Sequence, residues 1–124
     1  MSGLHIILDA KGTRLLSNRA AVEAWVREAA GLSGMTILAM VGYDLRIAFE
    51  QEPGVSVVAL IAESHISVHT WPETGHVTMD MYSCRPFTAE PVLEGFRKTF
   101  GVRETLKEYR LERFGVGVGH PLEA

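Results

Sequence analysis

Hydroxyl, imidazole and carboxylate side chains crowd into one stretch, Glu63-Ser64-His65-Ile66-Ser67-Val68-His69-Thr70-Trp71-Pro72-Glu73. The alternation of His65, Ser67 and His69 against Ile66, Val68 and Thr70 marks a half-buried strand. Strand propensity alone would not select so many polar, reactive groups. The plainest reading is a solvated strand face whose histidines bond to neighbours, and three chemical readings compete with it. A metal site is one, since His65, His69, His76 and Cys84 are all zinc-ligand types. Along a strand, however, His65 and His69 share a face about 13 Å apart, beyond the reach of one ion, so no metal is expected. A serine hydrolase is the second, but no Gly-x-Ser-x-Gly elbow surrounds Ser64, whose neighbours suit an edge strand.

Self-processing is the third reading. The Ser64 hydroxyl would attack the carbonyl carbon of Glu63 and convert that peptide bond into an ester, a far better leaving group. Loss of the Ser64 α proton would then expel the Glu63 carboxylate, and hydrolysis of the dehydroalanine would leave a pyruvoyl ketone at the new amino terminus. Such a ketone condenses with a substrate amine and withdraws electrons as carbon dioxide leaves, the task pyridoxal phosphate performs elsewhere. No external cofactor would be needed.

The elements that must hold this segment can be read along the chain. Its 124 residues fit a single domain, 47% hydrophobic and 22% charged, in the ordinary globular range. Fifteen acids against 12 bases give a net charge of −3 with no block of either sign, which argues against a nucleic-acid partner. No secretion signal and no membrane-length apolar run is visible, so a cytoplasmic protein with no membrane partner is expected, and the one cysteine, Cys84, has no partner for an internal disulfide.

The apolar residues of 3–9 predict a first strand, and Ser17 or Asn18 caps a helix carrying Ala21, Val22, Trp25, Val26 and Ala29, stopped by Gly31 and Gly34. Strands are predicted over 35–41, 43–49 and 55–62, with a break at Gly42, then over 65–71 and 76–83. Thr88 caps a second helix with the stripe Val92, Leu93, Phe96 and Phe100, and 103–114 forms a last strand before a loose tail. This order predicts an α+β domain, an antiparallel sheet with helices on one face.

The run from Glu63 to Glu73, followed by Asp-x-x-x-Cys at Asp80 to Cys84, resembles the prokaryotic S-adenosylmethionine decarboxylase proenzymes. His-x-x-x-Asp at His5 to Asp9, Gly-Val-Ser at Gly54 to Ser56, and the order of elements extend the likeness across most of the chain. The resemblance implies self-cleavage between Glu63 and Ser64 into chains 1–63 and 64–124, with Ser64 becoming the pyruvoyl group. It implies that His69 and Ser56 assist the ester step and that Cys84 protonates the substrate α carbon after decarboxylation. It also gives Glu73 the ribose hydroxyls, Ile66 a backbone contact to the base, and the whole a two-layer fold that pairs into a homodimer with sites near the interface.

One departure bears on the substrate. Where the resemblance calls for an aromatic residue to stack on adenine, this sequence has Glu50, with Phe49 one position away. A slip of one residue turns a strand side chain to the other face, so Phe49 does not simply substitute. The expectation is decarboxylation of S-adenosylmethionine for spermidine biosynthesis. A pyruvoyl-dependent decarboxylase of ornithine or arginine on the same fold, with Glu50 as counter-ion, and an uncleaved non-catalytic paralogue are the alternatives.

Overall fold

Branched and aliphatic residues alternate with small polar ones in six segments of this chain, and each becomes a strand of one sheet. The computed structural model describes residues 3–46, 52–62 and 64–113; Phe49, Glu50, Glu63 and the tail from 114 lie outside them. The described elements are β1 (Gly3–Lys11), α1 (Arg19–Leu32), β2 (Ile37–Leu45), β3 (Gly54–Ile61), β4 (Ser64–Trp71), β5 (His76–Ser83), α2 (Ala89–Phe100) and β6 (Glu104–Arg113). The strands lie in the order β2-β3-β4-β5-β1-β6, with every neighbouring pair antiparallel. The α+β layering expected from the sequence is what forms.

Period-two patterning gives the sheet two unlike faces. Ile6, Leu8, Val55, Val57, Ile66, Val68, Val77, Met79 and Met81 are buried beneath the two helices. Trp25 of α1 meets Phe96 of α2 edge to face at 5.2 Å, and Phe100 closes the same aromatic cluster. The opposite face carries His5, Ser56, His65, Ser67, His69, Asp80 and Tyr82, together with exposed Val41, Tyr43, Val58, Leu60, Trp71, Tyr109 and Leu111. Large apolar side chains and a line of reactive groups therefore share one surface that none of the described elements covers.

Three expectations are corrected. Gly42 does not divide two strands: β2 runs straight through it, and it pairs with Val57 of β3. A Cβ there would run into Glu23 and Arg19 of α1, so the glycine lets the helix approach the strand rather than turning the chain. Ser64 is not on an edge strand, since β4 sits between β3 and β5. Thr88 stands at the amino end of α2 but makes no side-chain capping bond. Asn18, by contrast, caps α1 through a bond from Ala21 N–H at 2.9 Å.

Candidate active site

Sheet register decides which of the reactive residues meet. Ser56 of β3 lies opposite His69 of β4, and its hydroxyl is 2.9 Å from His69 Nδ1. Thr70, next along β4, is buried; its hydroxyl donates to the Leu16 carbonyl at 2.6 Å and accepts from Val55 N–H at 2.9 Å. Those two bonds lock the end of β4 to β3 and to the loop before α1, so His69 and Ser56 stand on rigid backbone. Trp71 follows with its ring 6.4 Å from that of His69, and Glu73 is exposed in the turn between β4 and β5.

At the other end of β4, Ser64 pairs with Ser83 of β5, and the Cys84 backbone N–H donates to Ser64 Oγ at 3.1 Å. The Cys84 Sγ is 3.7 Å from the Tyr82 hydroxyl. Serine and cysteine, 20 positions apart, are thus brought side by side. What the sheet does not bring together is Ser64 and His69: they begin and nearly end the same strand, and their Cα atoms are about 16 Å apart at ordinary strand rise. Ile66 sits in mid-strand between Ala59 and Met81, its side chain wholly buried and its backbone inside the ladder on both sides.

Between the two ends lies a group that strand periodicity alone does not reveal. Asp80 of β5 is 2.9 Å from His5 Nε2 and 3.3 Å from His65 Nε2, and Ser67 donates a hydroxyl bond to its second oxygen. Burial would raise the Asp80 carboxyl, but the bonds from Ser67, His5 and His65 outweigh it and hold the group below the usual carboxylate range. Arg113 contacts His5 Nδ1 at 3.3 Å, and its guanidinium stands 4.7 Å from the centre of the Tyr82 ring. His5 arrives from 75 residues away, a separation that only the pairing of β1 with β5 closes.

His5, His65 and Asp80 offer three ligand atoms within 4.8 Å of one another, a set the sequence did not assemble because it compared His65 with His69. The chemistry around them favours hydrogen bonding over a cation. Arginine can only donate, so Arg113 takes the lone pair of His5 Nδ1 and leaves the proton on Nε2, directed at Asp80. A metal would need that Nε2 lone pair.

Comparison with known proteins bears on the family and the fold. A family model described as S-adenosylmethionine decarboxylase matches residues 4–113. The S-adenosylmethionine decarboxylase proenzyme of Aeropyrum pernix is 40% identical over 117 residues, 89% of this chain and 85% of that one. The proenzyme of the same name from Thermomicrobium roseum is 34% identical over 123 residues, 94% of this chain and 93% of that one. Among solved structures, the adenosylmethionine decarboxylase from Aquifex aeolicus shares the fold with a TM-score of 0.68 at 25% identity, over 90% of this chain and 88% of that one.

Proposed function

The chain belongs to the S-adenosylmethionine decarboxylase family, and from that premise we propose that it decarboxylates S-adenosylmethionine with a pyruvoyl group made by opening its own Glu63-Ser64 bond. The observation that carries this reading is the 3.1 Å bond from Cys84 N–H to Ser64 Oγ, which sets a thiol-bearing residue against the one serine that processing requires. The residues fit the group: a serine at the first position of a strand, its hydroxyl oriented by a backbone donor, can become a ketone without displacing any core side chain. That ketone supplies an electron sink for the bond that releases carbon dioxide.

The chain's own residues supply the rest. Ser64 is the nucleophile that opens the peptide bond, and the serine and imidazole pair Ser56 and His69 moves protons during the ester step. Cys84 returns a proton to the substrate α carbon. Glu73, exposed in its turn, accepts hydrogen bonds from the ribose hydroxyls. A backbone contact from Ile66 to the base would compete with its sheet pairing on both sides, so the base is better served by the strand ends.

A complete site on this reading draws on two copies of the chain. Ser64 and Cys84 stand about 16 Å from Ser56 and His69, whereas proton transfer needs contact within ~3.2 Å. Among the described residues, the face bearing His69 also exposes Val41, Tyr43, Val58 and Leu60, the kind of surface that pairs with another. Two such faces stacked antiparallel would set the Ser64 end of one chain against the His69 end of its partner. The homodimer is therefore part of the catalytic proposal.

The test of substrate is carbon dioxide release from S-adenosylmethionine, L-ornithine, L-arginine and L-lysine, each offered to the same cleaved preparation. Release from S-adenosylmethionine alone is expected. Release from a basic amino acid in its place would transfer the function to that substrate and give the Glu50 region the role of counter-ion.

A further inference from the structure

Tyr82 takes no part in the function proposed above, yet it is framed on several sides by neighbouring side chains. Its hydroxyl stands 3.7 Å from Cys84 Sγ. Its ring is walled by His5 at 5.6 Å and His65 at 6.1 Å between centroids, and by the Arg113 guanidinium at 4.7 Å. Both histidines are themselves fastened to Asp80, and Arg113 to His5. Held on these sides by groups that are themselves hydrogen-bonded, the ring has little freedom to swing. That frame holds the hydroxyl beside the sulfur.

We propose that Tyr82 is a positioning residue for the decarboxylation, its hydroxyl donating to the Cys84 sulfur so that the S–H bond is aimed at the substrate α carbon. The inference rests on the reading of Cys84 as the proton donor. Burial first, and the contact with Cys84 second, raise the Tyr82 phenol above its ordinary value, so it keeps its proton and remains a donor through the neutral range.

The balance of the step shows what the aim is for. When carbon dioxide leaves, the electron pair of the broken C–C bond stays on the substrate and on the ketone-derived group joined to it. In productive turnover the Cys84 S–H bond breaks, a C–H bond forms at the substrate α carbon with that pair, and the thiolate regains its proton from water. Alternatively, the same pair takes a proton at the carbon contributed by residue 64. Water then releases the substrate as an aldehyde and leaves its nitrogen on the chain as an amine, which ends catalysis by that chain. A well-aimed thiol favours the first route.

The experiment uses the full self-cleaved protein with Tyr82→Phe, which keeps the ring and its packing and removes only the hydroxyl. Two readouts are taken: kcat and KM for carbon dioxide release, and the intact mass of the chain beginning at residue 64 after exhaustive turnover, which separates a ketone end from an amine end. The expected result is unchanged self-cleavage, KM within about two-fold, kcat lower by about ten-fold, and an amine end accumulating about ten times faster per turnover. A Tyr82→Phe protein with wild-type kcat and wild-type survival of the ketone, one altered only in KM, or one that fails to cleave would overturn the proposal. Cys84→Ala is run beside it. If that variant forms no more amine than wild type, the donor reading itself has failed; if it does and Tyr82→Phe does not, only the role of Tyr82 has failed.

Discussion

A site shared between two chains predicts that two dead proteins make a live one. Take Ser64→Ala, which lacks the nucleophile, and His69→Ala, which lacks the imidazole paired with Ser56. Within one chain these residues stand about 16 Å apart along β4, five times the reach of a hydrogen bond, so neither variant can repair itself. In a mixed dimer, Ser64 of the His69→Ala chain meets His69 of the Ser64→Ala chain and one site is whole, while the other carries both defects. Random assembly makes about half of the dimers mixed, each with one good site of two, so co-expression should restore about one quarter of wild-type specific activity. Cleavage should be found only in the His69→Ala chain, read by mass after the two are tagged differently. Activity of the mixture no greater than that of either variant alone, with both chains uncleaved, would refute the two-copy site.

Other consequences follow from the packing and the charges. Thr70→Val removes the bonds to the Leu16 carbonyl and the Val55 N–H and should cost about 1–3 kcal/mol in urea unfolding, with a larger loss of activity than of fold because the His69 end of β4 loosens. Trp25→Ala opens the aromatic cluster between the helices and should cost about 3–5 kcal/mol. Asp80 is held below its unfolded value of 3.8, so its contribution to stability is fully present above that pH and is lost as pH falls through the lower folded value. Acid titration of Asp80→Asn should therefore show a lower plateau at neutral pH and a shallower decline below pH 3.8 than wild type, and superimposable curves would contradict the network at Asp80.

The sequence made the elements legible because period-two and helical spacings are local properties. The alternation in β4 and β5 and the stripes of α1 and α2 could be read directly from side-chain type. Gly42 misled, because a glycine that admits Glu23 and Arg19 looks the same in sequence as one that turns the chain. Ser64, His69, Ser56 and Cys84 came from a motif, and the pairs Ser56 with His69 and Ser64 with Cys84 proved to be contacts. What one chain's sequence could not yield was order across the sheet. Nothing local says that β1 lies beside β5, and without that pairing His5, Asp80, Tyr82 and Arg113 are unrelated residues spread over more than 100 positions.

The central claim is that this chain cuts itself and converts Ser64 into a ketone. Intact mass spectrometry of the purified protein, with Ser64→Ala as control, tests it most directly. The account predicts two fragments, residues 1–63 and 64–124, the second beginning with a pyruvoyl mass and trapped by a hydroxylamine, while Ser64→Ala stays whole. A wild-type chain that remains intact through prolonged incubation, indistinguishable from Ser64→Ala, would contradict it and leave the fold as an uncleaved, non-catalytic member of its family.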